Sequence, residues 1–83
     1  MSDNPVGLDR LIGIFGEVLE TGGVRPDSNF FLLGGDSLLV TRVIGRLRRD
    51  YDVDVTFAEF TQAPTPRALD ELLDSLAADS ASR

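Results

Sequence analysis

Three stretches of this chain repeat their apolar residues every three or four positions. Leu8, Leu11, Ile12, Phe15, Val18 and Leu19 make the first. Leu39, Val40, Val43, Ile44 and Leu47 make the second, and Leu69, Leu72, Leu73 and Leu76 the third. That spacing lays one apolar stripe along a helix. It predicts helices over about 7–20, 37–50 and 66–78. Gly22-Gly23 suits the end of the first. Asp36 or Ser37 can cap the second, and Arg48 and Arg49 in its last turn suit its dipole. Thr65 reads as the N-cap and Pro66 as the first residue of the last. Tyr51, Val53 and Val55 alternate with Asp52, Asp54 and Thr56 as a strand would, but no second segment offers a partner strand. An extended connector dipping apolar side chains into a bundle is the better reading. A short helix over about 56–61 would bury Phe57 and Phe60. The expected fold class is therefore all-α: a four-helix bundle of three long helices and one short one. A single domain over 7–78 lies between flexible tails at 1–6 and 79–83.

The segment between the first two helices, residues 22–36 (GGVRPDSNFFLLGGD), is long for a loop. It nevertheless holds Phe30, Phe31, Leu32 and Leu33, so some of its side chains must be pinned into the core. Long ordered loops with apolar anchors are often functional.

Composition limits the chemistry. The 83 residues contain no His, Cys, Trp or Lys, and all eight basic residues are Arg. A Ser-His-Asp triad, a Cys nucleophile, a Schiff-base Lys and a His or Cys metal site are excluded within the chain, as is a disulfide framework. The net charge of −6 makes nucleic acid or an anionic membrane surface a poor partner. The apolar runs are too short to span a membrane, and no signal peptide is visible. The expectation is a cytoplasmic, monomeric domain that is not an enzyme.

On a wheel of about 100° per residue with Ser37 at zero, Leu39, Val40, Val43, Ile44 and Leu47 fall between about 200° and 340°. Leu38 falls nearly opposite the centre of that face. It shares the exposed side with Ser37, Thr41, Arg42, Gly45, Arg48 and Arg49. An exposed Leu flanked by small residues and set beside a hydroxyl looks like a docking surface. The plainer alternative is a solvated Arg face with one stray Leu. Asp36-Ser37, taken alone, is an ordinary helix cap. As a nucleophile Ser37 lacks a base. As a substrate modified by another protein it is well placed, because a helix N-terminus stabilises an attached phosphate, and Gly34 and Gly35 leave room to approach it.

The run Asn29-Phe30-Phe31-Leu32-Leu33-Gly34-Gly35-Asp36-Ser37-Leu38 resembles the attachment motif of phosphopantetheine-dependent carrier proteins. It is most like the peptidyl carrier (thiolation) domains of nonribosomal peptide synthetases, whose pattern is Phe-Phe-x-Leu-Gly-Gly-(His or Asp)-Ser-Leu. Val24-Arg25-Pro26-Asp27 resembles the family's lead-in, and Pro64-Thr65 with Leu69 resembles its Pro-Thr-x-x-x-Leu at the last helix. The likeness covers about residues 8–76. It implies a four-helix carrier fold with a long first loop and a short third helix. It makes Ser37 the attachment point of covalent 4′-phosphopantetheine, flanked by Gly35 and Asp36. A separate phosphopantetheinyl transferase would install the group from coenzyme A, using Mg²⁺ held on that enzyme. The arm's thiol would hold an aminoacyl or acyl thioester, loaded by an adenylation enzyme and passed to a condensation or tailoring enzyme in natural-product biosynthesis. Leu38, Thr41, Arg42 and Gly45 would meet partners. Leu32 stands where many relatives carry Asp or Glu. It either adds an apolar partner contact or packs inward.

Arg42, Arg46, Arg48 and Arg49 make the second helix locally basic, which favours a peptidyl over an acyl carrier of fatty-acid or polyketide pathways. The start Met and polar tail suggest a free-standing carrier, with an excised domain as the alternative. An unmodified helical interaction module, with Ser37 a simple cap, remains the reading from a different class.

Overall fold

The computed structural model describes residues 4–81, with side chains described as far as Ala77. It contains α1 (Leu8–Leu19), α2 (Ser37–Tyr51), α3 (Phe57–Gln62) and α4 (Pro66–Ala81), and no strand among the described residues. Each expected helix is present within a few residues of its expected ends. α1 packs on α2 and α4, and α3 packs on α2.

The core follows from the stripes. Leu11, Ile14 and Phe15 of α1 meet Val40, Val43 and Leu47 of α2 and Leu69 and Leu73 of α4, all of them buried. Three aromatic rings close the centre. Phe30 from the long loop stands edge-on to Phe15 and to Phe60 of α3, with ring centroids 5.1 Å apart in each case. Such edge-to-face pairs add about 0.5–1.5 kcal/mol each beyond area burial. Tyr51, expected to open an extended connector, is instead the last residue of α2, and Asp52 turns the chain in the left-handed region (φ 55°, ψ 40°) before an unpaired connector. Val55 is buried, while Tyr51 and Val53 are half-buried against the core.

The helix ends show where local chemistry wins. The Oγ1 of Thr65 accepts from the Ala68 N–H at 3.1 Å, so Thr65 caps α4 ahead of Pro66 as expected. α3, only six residues long, carries a full capping box. Thr56 Oγ1 accepts from the Glu59 N–H (3.1 Å), and Glu59 Oε1 accepts from the Thr56 N–H (2.9 Å). These bonds satisfy two otherwise orphaned donors.

Four other expectations need revising. α1 stops at Glu20 in the left-handed region (φ 54°, ψ 47°), ahead of Gly22-Gly23. Phe57 is 45% exposed, because on a one-and-a-half-turn helix Phe60 alone occupies the core-facing position. Residues 4–6 are held: Val6 is buried, and Asn4 Nδ2 donates to Asp70 Oδ1 at 2.9 Å. α4 continues to Ala81, past the expected boundary at 78. The remainder of the two expected tails, 1–3 and 82–83, lies outside the described residues.

Candidate functional site

The long loop is fastened at three levels before it reaches Ser37. At its start, the Arg67 N–H donates to the Pro26 carbonyl (2.9 Å), and Arg67 Nε donates to Asp27 Oδ1 (2.8 Å). In its middle, the Phe30 N–H donates to the Pro64 carbonyl (2.8 Å) while the ring fills the core. At its end, the Gly35 N–H donates back to the Phe30 carbonyl (3.0 Å). Between these points a tight turn is organised by Asn29, whose Oδ1 accepts from the N–H groups of Phe31 (2.9 Å) and Leu32 (3.3 Å).

The two glycines have structural reasons of their own. Gly34 has φ 101°, a region that side chains avoid. A Cβ on Gly35 would come within 2.3 Å of the Phe30 ring. Their first role is thus to let the chain pass Phe30 closely. The cleared approach to Ser37 follows from that.

Asp36 is extended (φ −136°, ψ −177°) and caps α2, its Oδ1 accepting from the Leu39 N–H at 3.0 Å. Ser37 is therefore the first helical residue. It is exposed, and its hydroxyl bonds to no described residue. The Ser37 and Leu38 N–H groups also lack acceptors among the described residues. These are the free donors of a helix start.

The structure places the other expected site residues on the surface. Leu38 is 63% exposed and Leu32 is 86% exposed, which settles Leu32 as outward-facing. Thr41, Arg42 and Gly45 are exposed along the same side of α2. Thr41 spends its hydroxyl on the Ser37 carbonyl (2.8 Å), steadying the first turn. Phe31, Leu33 and Phe57 are also exposed apolar residues that the sequence did not mark as surface, and for Phe57 this reverses the expected burial. Helical periodicity could not have found them, since two lie in a loop and the third on a very short helix.

The basic character of α2 is mostly neutralised. Arg46 pairs with Glu17 (2.8 Å) and Asp50 (3.2 Å), Arg49 with Asp50 (3.2 Å), and Arg48 with Asp54 (2.6 Å). The hydrogen bond from Arg49, joined by that from Arg46, lowers the Asp50 carboxyl below the ordinary aspartate range. The expectation of a locally basic helix thus reduces to Arg42. That residue lines an open groove of about 300 Å³ with Glu17, Val18, Glu20 and Arg46.

No helix of the described residues is long and apolar enough to cross a membrane.

Residues 9–73 match the family described as the phosphopantetheine attachment site. The chain belongs to that family of carriers, which take 4′-phosphopantetheine covalently and are not themselves catalysts. Its relatives include both nonribosomal peptide synthetases and a polyketide synthase, and it spans only about 1% of the length of the first of them. It is 51% identical over 59 residues to a probable nonribosomal peptide synthetase of Salinispora arenicola, spanning 71% of this chain and 1% of that one. It is 38% identical over 72 residues to a linear gramicidin synthase of Brevibacillus parabrevis, spanning 87% of this chain and 1% of that one. Among solved structures it resembles a peptidyl carrier protein in complex with the phosphopantetheine transferase Sfp and coenzyme A. There the TM-score is 0.78 at 29% identity, covering 87% of this chain and 92% of the other.

Proposed function

We propose that Ser37 is the attachment point of 4′-phosphopantetheine and that the chain carries an aminoacyl or acyl group between partner enzymes of nonribosomal peptide synthesis. The carrying observation is the state of Ser37: an exposed, unbonded hydroxyl at the first position of α2, held there by the Asp36 cap and the Gly35–Phe30 contact. The residues fit the group. The free Ser37 and Leu38 N–H groups and the positive end of α2 favour a phosphodiester on Oγ.

In the attachment step Ser37 Oγ forms the new bond to phosphorus, and the pyrophosphate P–O bond of coenzyme A breaks. Adenosine 3′,5′-bisphosphate leaves, and the serine proton passes to the transferase. The chain supplies no base for this, so a transferase must. Once bound, the arm supplies the terminal thiol that this Cys-free chain lacks. The chain's own part is to hold Oγ outward on a rigid loop and to show partners a face. Leu32 and Leu38, with Thr41, Arg42 and Gly45 beside them, form that face.

The partners in this reading are a phosphopantetheinyl transferase, an adenylation enzyme that loads the thiol, and a condensation or tailoring enzyme downstream. The carrier itself is a monomer, and its place is the cytoplasm, where coenzyme A is available. The reading holds whether the chain acts in trans or within a larger synthetase.

The test is direct. Incubation of the apo protein with coenzyme A and the transferase Sfp should add the mass of one phosphopantetheine, and Ser37→Ala should abolish the gain. No gain on the parent chain would leave Ser37 as an unmodified first residue of α2.

A further inference from the structure

How the first partner recognises the face around Ser37 can be read one step further, given the carrier reading. Of the four arginines on α2, three are matched by acids within the chain. Arg42 makes no ion pair or hydrogen bond with any described residue. The two acids of its groove leave it free. Glu17 is engaged by Arg46, and Glu20 pairs with no described residue. Arg42 stands one turn beyond the exposed Leu38, and about 7.5 Å along the helix axis from Ser37.

Partners that follow act at the end of the arm, whereas the transferase acts at its root. It must bring its active site onto Ser37 Oγ before any arm exists, so it must cover the first exposed turns of α2. At the edge of that footprint Arg42 stays partly in water, and an unpartnered charge there gains modestly from a facing carboxylate. Covering Leu38 is favourable wherever it meets apolar surface. We propose that the phosphopantetheinyl transferase recognises this face with a carboxylate opposite Arg42, about one helical turn (~5.4 Å) from an apolar pocket for Leu38. Arg42 is then a specificity-determining residue for the modification of Ser37. The other three arginines contribute little, because their charges are already matched.

The experiment measures initial rates of phosphopantetheine transfer by Sfp from coenzyme A to the full chain. The parent is compared with Arg42→Gln, Arg42→Glu and Arg48→Gln at low and high salt. Circular dichroism checks that all four fold alike. Arg42→Gln should lower kcat/KM by about two- to fivefold, the range of one exposed pair, and Arg42→Glu by more. The loss should lie in KM, because the residue does not touch the reacting atoms. It should shrink toward unity near 0.5 M salt, where screening acts over a few ångström. Arg48→Gln should match the parent. If Arg42→Glu is modified as fast as the parent at low salt, or if its loss is the same at high salt, the proposal is overturned while the carrier reading stands. If the parent itself gains no mass, the carrier reading is what fails.

Discussion

Replacing Gly35 by alanine tests whether the attachment loop is set by its passage over Phe30. A Cβ at position 35 would lie 2.3 Å from Cδ2, 2.4 Å from Cε2 and 2.7 Å from the carbonyl oxygen of Phe30. Carbon atoms in good contact sit about 3.5–4.0 Å apart, so roughly 1 Å or more of movement is required. The ring cannot supply it. It is wholly buried, with Phe15 and Phe60 each 5.1 Å away by centroid, and the Phe30 N–H is tied to Pro64. The shift must therefore fall on residues 34–36, which carry the cap of α2. Overpacking of this kind costs about 1–3 kcal/mol. For a domain of this size each kcal/mol moves the melting temperature by roughly 4–8 °C, so a mid-range cost of about 2 kcal/mol implies a drop of roughly 8–16 °C. Thermal melts followed by circular dichroism would read it. Amide exchange at Leu39, whose N–H is bonded to Asp36, would show whether the cap loosens with it. Gly13→Ala is the control, since a Cβ there meets nothing within 4 Å. In a helix interior that change should stabilise by roughly 0.5–1 kcal/mol. A Gly35→Ala protein with the parent's melting temperature and unchanged protection at Leu39 would refute the reasoning.

Two further substitutions test the frame. Glu20 sits in the left-handed region at the end of α1, and its carboxylate pairs with no described residue. Glu20→Gly should therefore relieve strain and raise stability by about 1 kcal/mol in thermal melts, and a loss of stability would contradict the assignment. The Asp70 carboxyl is raised above the ordinary aspartate range, chiefly by burial and then by Asp74, against the lowering effect of its bond from Asn4. A folded pKa above the unfolded one means that the native state holds the proton more tightly. The penalty is then present above the raised pKa and vanishes below the unfolded value of about 3.9. Asp70→Asn keeps an oxygen for Asn4 and removes the charge. It should melt above the parent at pH 7, with the difference closing by about pH 3. A gap that does not change with pH would rule out this origin.

Much of the attachment site could be read from the chain because its signals are local. The Asp36-Ser37 step before an apolar helical run specifies a cap and a first-turn hydroxyl whatever surrounds it, and the structure shows that cap. The direction of Leu38 followed from helical period alone. Leu32 could not be placed in the same way, because a loop has no period. Its outward direction is decided by the Asn29 turn and by Phe30 taking the inward position beside it.

By itself, then, the sequence determined the four helices, the side of α2 that faces the core and the position of Ser37 at the head of that helix. These depend on spacing and caps within a few residues. The tertiary structure decided what depends on residues distant in the chain. Asp70 holds Asn4 from 66 positions away, and Phe60 excludes Phe57 from the core. Glu17 on α1 reaches Arg46 from 29 positions away, while Asp50 on α2 and Asp54 just after it pair with the nearby Arg46, Arg49 and Arg48. Charge and burial are settled by whatever is brought alongside, and for Arg42 nothing among the described residues is.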